Sequence, residues 1–220
     1  MSRFVRDNGL TIALLSLFAV SLIGQIFAGY HFENDELARH REPPMTLLSY
    51  LVGGEFLSAL FENWESEFLQ MSAYVVLTAY LIQRGSPESK DPDADEPEDA
   101  DPERSPRKAA APWSVRRGGL ALQLYSHSLG VALMLLFVAS FALHWINSWR
   151  KSVEEAANHG EVAKGLFEYL GSAELWFESF QNWQSEFLST AVLIVLAIWL
   201  RERGSPESKP VTAPHGETGS

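Results

Sequence analysis

The chain has 220 residues, a formal net charge of −11 and no cysteine, which excludes disulfides, thiolate nucleophiles and cysteine metal sites. Its mean hydropathy of −0.05 averages four apolar runs with a very acidic middle, the profile of a small polytopic membrane protein rather than a soluble domain. Nine acids fall between Glu88 and Glu103, so the acidity belongs to a linker and implies no basic partner; no nucleic acid is expected.

Arg3 and Arg6 precede an apolar run, Leu10 to Ala28, of 19 residues, about 28 Å of helix and enough for a bilayer. A matching run, Leu129 to Asn147, sits mid-chain, so the first is read as a retained helix rather than a signal peptide. The polar continuation YHFENDELARHREPP stays helix-compatible until Pro43 and Pro44, so the first helix should protrude from the membrane. Residues 45–62 then carry a broad apolar face with Glu55, Ser58 and Glu62 opposite, the pattern of a helix lying in the interface.

The next run is short. Sixteen uncharged residues separate Glu67 from Arg84, and 14 separate Glu186 from Arg201, giving about 24 and 21 Å. Starting each helix at Trp64 or Trp183 restores about 20 residues and places Glu67 and Glu186 roughly one turn inside the boundary. The string RGSPESK follows as a helix stop, with Arg in the last turn, then Gly, then Pro. The acidic stretch that follows cannot bury an apolar core and is expected to be a disordered tether. The second half continues SWRKSVEEAANHG as a polar helix extension to about Gly160, and the tail after Lys209 is expected to be mobile.

FENWESEFL, Phe61 to Leu69, returns as FQNWQSEFL at Phe180 to Leu188 with seven of nine residues identical, and RGSPESK occupies both Arg84 to Lys90 and Arg203 to Lys209. Both pairs share an offset of 119 residues, so the chain reads as a duplication without insertion between the motifs. Five of 17 Lys and Arg fall between the spans of each half and 12 at the termini and linker, which puts termini and linker on the cytoplasmic side and makes the repeats parallel.

The fold class expected is therefore all-α and integral to the membrane, with four transmembrane helices in two parallel repeats and two interfacial amphipathic helices. The first repeat covers 1–90, with spans about 9–32 and 64–84 and an interfacial helix about 45–62. A cytoplasmic linker covers 91–115. The second repeat covers 116–209, with spans about 118–149 and 183–203 and an interfacial helix about 163–181, followed by a disordered tail over 210–220.

Two accounts of the NWxSE motif fit. In one, Asn63 and Asn182 are helix N-caps, Trp64 and Trp183 interface anchors, and Glu67 and Glu186 first-turn acids complementing the helix dipole. In the other, Glu67 and Glu186 face each other across a shared polar pocket suited to protons or cations. Glu62 and Glu65 become Gln181 and Gln184 in the second copy, keeping hydrogen bonding and losing charge, so these positions are expected to face water or headgroups. His31, His127 and His144 lie in or near spans, but no paired-histidine pattern supports haem, and no metal or cofactor is expected.

RRGGL, LYSHSL, FENWESEFLQ, FQNWQSEFL and RGSPESK make the chain resemble a family of bacterial four-span membrane proteins described only as a domain of unknown function. The resemblance implies a bacterial inner-membrane location and supplies no catalytic residue. The function expected is a non-enzymatic membrane component whose partners are the bilayer and either further copies of itself or another membrane protein. The alternative is a small proton or cation transporter or channel using Glu67 and Glu186.

Overall fold

The computed structural model describes residues 3–94, 96–104 and 110–219. It is all-helical, with no strand among the described residues. The helices are α1 (Arg3–Asp7), α2 (Gly9–Arg39), α3 (Leu47–Val52), α4 (Gly54–Tyr80), α5 (Trp113–Arg117), α6 (Gly119–Ser126), α7 (Ser128–His159), α8 (Leu166–Tyr169) and α9 (Ala173–Trp199). The long helices α2 and α7 start 119 residues apart, at Gly9 and Ser128, as do α4 and α9, at Gly54 and Ala173.

Two compact units are present. One comprises Met1–Leu60 with Leu143–Leu170, the other Phe61–Ala142 with Gly171–Ser220, and α4 and α7 each run through both.

In the first unit the long helices hold the short ones through matched hydrogen bonds. Tyr30 Oη donates to the Met45 carbonyl at 3.1 Å, and Trp149 Nε1 donates to the Lys164 carbonyl at 2.8 Å. Tyr50 and Tyr169 are buried, and the Tyr169 hydroxyl bonds Ser148 Oγ at 2.8 Å. Gly29 admits the Tyr50 phenol, since a Cβ there would lie 1.9 Å from its oxygen. Gly54 lets α4 touch the α7 backbone, where a Cβ would lie 2.8 Å from Lys151 N. Lys151 Nζ pairs with Glu55 Oε2 at 3.1 Å.

The helix boundaries differ from those expected in three places. First, the interfacial segment 45–62 and the span 64–84 are not separate helices: α3 ends at Gly53, whose backbone is extended, and α4 then runs unbroken to Tyr80. The same holds for 163–181 and 183–203, where Ser172 caps α9 by accepting from Leu175 N at 3.3 Å. The physical reason is that residues 55–62 contain neither glycine nor proline, whereas the extended Gly53 before them stops the preceding helix. Second, the run 118–149 is broken at His127, between α6 and α7. Third, α4 and α9 stop at Tyr80 and Trp199, so Arg84 and Arg203 lie beyond the last helical turn.

The linker and tail carry local order. Residues 91–94 and 96–104 form turns and a short 3₁₀ segment at Pro97–Asp99, with ion pairs from Arg84 to Asp93 and from Lys90 to Asp99. Residues 210–219 make turns, and Lys209 donates to the carbonyls of Pro214, His215 and Glu217 at 3.2, 2.9 and 2.9 Å. Asp95, residues 105–109 and Ser220, which belong to the expected linker and tail, lie outside the described residues.

Candidate functional site

In the second unit α4 and α9 meet along a row of polar side chains. Glu62 and Glu65 are three apart and share a face of α4; Ser179, Asn182 and Trp183 share one of α9. Asn182 Nδ2 donates to Glu62 Oε1. Glu65, 0% exposed, accepts at Oε1 from Ser179 Oγ at 2.7 Å and from Trp183 Nε1 at 3.1 Å. Further along, Gln70 Nε2 donates to Thr190 Oγ1. Burying a carboxylate costs several kcal/mol, on the order given for ions moved out of water, unless such donors compensate it.

Aromatic packing sets the direction of the indole N–H. The Trp183 ring meets Phe180 edge-on at 5.4 Å, Phe137 at 6.0 Å and Trp176 at 6.2 Å, while Phe141 lies 5.9 Å from Trp176. These contacts from α7 and α9 fix the ring, leaving its polar edge turned to Glu65.

The capping account does not hold for the two asparagines. Asn63 and Asn182 lie inside α4 and α9 and do not begin them, so neither is an N-cap. Asn63 and Glu67 are exposed, whereas Glu186 is half-buried. Trp64 packs edge-on against Phe61 at 5.5 Å. Trp183 serves Glu65 in addition to any role at a boundary. Glu65, expected to face water or headgroups, is instead enclosed, because the α9 hydroxyl and indole give its carboxylate what water would otherwise supply. A signal was present: Glu65 loses its charge as Gln184 in the other copy, and Ser179 and Trp183 stand four apart, able to converge on one partner.

Beyond the helices, serines fold both RGSPESK strings alike. Gln83 N donates to Ser89 Oγ at 3.0 Å and Glu202 N to Ser208 Oγ at 2.9 Å; Glu88 N and Glu207 N each donate to the serine two residues earlier at 3.2 Å. Gly85 and Gly204 take φ of 84° and 87°, the left-handed region these turns require. Against the first loop lies a cavity of about 400 Å³, lined among others by Gln70, Tyr74, Thr78, Thr190, Phe187 and Glu88.

Among the described residues no group of three or more His, Asp or Glu converges for a metal ion. His31 and His127 are exposed and His144 is buried.

These features define an all-helical protein in which two helices, α2 and α7, are long and apolar enough to cross a membrane. The chain belongs to the family described as domain of unknown function DUF6766, whose profile matches residues 1–220. No curated protein and no solved structure matches it.

Proposed function

We propose that the chain is a four-span protein of the bacterial inner membrane, built from two parallel repeats, that acts without enzymatic chemistry by packing its helices against further copies of itself or another membrane protein. The observation that carries this reading is apolar surface facing outward along all four long helices: Leu10 (75% exposed) and Val20 (69%) on α2, Leu77 (50%) on α4, Leu135 (64%) on α7 and Leu188 (65%) on α9. Such continuous exposure is untenable in water and ordinary against lipid or a partner helix. The 27 residues of α4 and of α9 reach about 40 Å, which supports spans there despite their charged first halves. The 119-residue spacing of helix starts supports the repeat, and the Lys and Arg bias supports cytoplasmic termini and linker.

The absence of native cysteine makes the test clean. Single cysteines at Asp35, Glu98, Pro112 and His159 are to be labelled in intact cells with a membrane-impermeant maleimide. Asp35→Cys and His159→Cys are expected to label, and Glu98→Cys and Pro112→Cys only after lysis. A linker that labels from outside overturns the orientation and the parallel repeats together.

A second reading, proton or cation handling, is favoured by one observation, the enclosed carboxylate of Glu65; an ionisable group at membrane depth is costly and tends to mark a path. In proteoliposomes, Glu65→Gln and the Glu67→Gln/Glu186→Gln pair separate the contributions. Flux unchanged in all of them removes this reading and leaves the packing reading standing.

A further inference from the structure

We propose that the cavity between α4 and α9 is a binding site for a lipophilic organic cation, an apolar ring system carrying a positive charge, with Glu88 as its counter-ion. This goes beyond the packing reading and does not rest on Glu65.

The cavity measures about 400 Å³ and lies wholly within the second unit, between the C-terminal halves of α4 and α9 and against the Arg84–Lys90 loop. Leu77, Leu81 and Ile194 make its walls apolar, and Gln70 on α4 donates to Thr190 on α9 along its lining. A cavity of about 150 Å³ holds one benzene, so this one takes about two or three rings and falls within the size range of small-molecule sites.

Glu88 is the only charged residue among those that line it. Tyr74 Oη donates to Glu88 Oε2 at 2.5 Å, and Glu88 N donates to Ser86 Oγ at 3.2 Å, so α4 orients the carboxyl and the loop fixes where the side chain leaves the backbone. A phenol orients a carboxylate without neutralising it. The cations of the surrounding elements are directed elsewhere: Arg84 pairs with Asp93 and Lys90 with Asp99, Arg201 donates to four main-chain carbonyls and Lys209 to three. Arg203 is exposed. Among the described residues, Glu88 therefore has no cationic partner.

A half-buried carboxylate without a cationic partner, on the lining of an apolar cavity, narrows the class of ligand. An anionic headgroup would meet like charge, and a neutral hydrocarbon would desolvate the carboxylate without compensating it. A bare metal ion would find too few oxygens, since no group of three or more acids or histidines converges among the described residues. An organic cation meets both demands, with its rings against the apolar walls and its charge against Glu88. Tyr74 and Phe187 add aromatic lining, which attracts a delocalised cation more than a neutral ring of the same shape.

The test uses the full chain in detergent and two probes of one shape, the N-methylacridinium cation and its neutral carbon isostere methylanthracene, each measured by equilibrium dialysis against protein-free micelles. The cation is expected to bind about tenfold more tightly than the isostere, a factor within reach of one charge pair near a protein surface. Glu88→Gln is expected to erase that preference and leave the affinity for the isostere unchanged, which also shows that the variant is folded. Ala191→Phe, which fills the cavity from α9, is expected to abolish saturable binding of both probes with its elution in gel filtration unchanged. Equal affinities for the two probes in the unsubstituted chain, a preference for the cation that survives Glu88→Gln, or unchanged binding in Ala191→Phe overturns the proposal.

Discussion

Trp183 donates its indole N–H to Glu65 across 3.1 Å, so the one polar atom of a residue suited to a membrane boundary is engaged inside a helix pair. Ser179 Oγ reaches the same carboxylate oxygen at 2.7 Å. Hydrogen bonds to a charged acceptor contribute about 1.5 to 3 kcal/mol each, so Trp183→Phe and Ser179→Ala should each lower stability by that order in reversible unfolding. Their effects should not add, since both donors serve one oxygen, and a double-mutant cycle measures the coupling. Strict additivity would mean that Glu65 is solvated by something other than α9.

Gly54 is the point where α4 lies directly on the α7 backbone, with Lys151 N and the Asn147 carbonyl 2.8 and 2.9 Å from a Cβ placed there. Backbone cannot rotate out of the way as a side chain can. Gly54→Ala should therefore cost about 1 to 3 kcal/mol, as overpacking does. Gly24→Ala, on α2 with nothing within 4 Å, should be neutral or slightly stabilising. Thermal melting of the two variants side by side checks the contrast.

Glu33 lies half-buried towards the C-terminal end of α2, and its carboxyl is pushed up from the usual range by burial first, then by Glu55 and Glu36, against a lowering from Lys151. A raised folded value means that stability from this group is fully present below its unfolded pKa and lost as pH rises through the folded one. Glu33→Gln should thus leave acid stability unchanged and raise stability at neutral pH by under about 1 kcal/mol, because water screens the group. Melting temperatures at two pH values read the difference directly.

Ser72 Oγ is buried and, among the described residues, has no hydrogen-bond partner. An unsatisfied buried hydroxyl is a cost, of about 1 to 3 kcal/mol, rather than a support. Ser72→Ala should be neutral or stabilising in the same melting assay, and a clear loss of stability would reveal a partner for this hydroxyl.

How far the chain was legible beforehand depends on what each inference needed. The long apolar runs of α2 and α7 and their polar extensions to Arg39 and His159 follow from composition along one helix, which the residues state directly. Asn63 misled because an asparagine before a tryptophan suits a helix start, yet the extended residues at Gly53 and Ser172 had already set the starts ten residues earlier. Glu65 was read as solvated for a related reason. Periodicity tells which residues share a face; it does not tell which face another helix will cover, and only the arrival of Ser179 and Trp183 distinguishes Glu65 from Glu67, two positions away and exposed.

The tail's contacts bear on the order in which the protein is completed during synthesis. Gly85 N donates to Thr218 Oγ1, a partner 133 residues later in the chain, and Gly219 N donates back to the Ser86 carbonyl. The first RGSPESK loop therefore leaves the ribosome long before the atoms that will cover it, and Lys209 follows with its ammonium still awaiting the carbonyls of Pro214, His215 and Glu217. However early the helices form, this corner closes last, after translation has passed residue 219, and until then it is the part of the nascent chain that a protease or chaperone meets open.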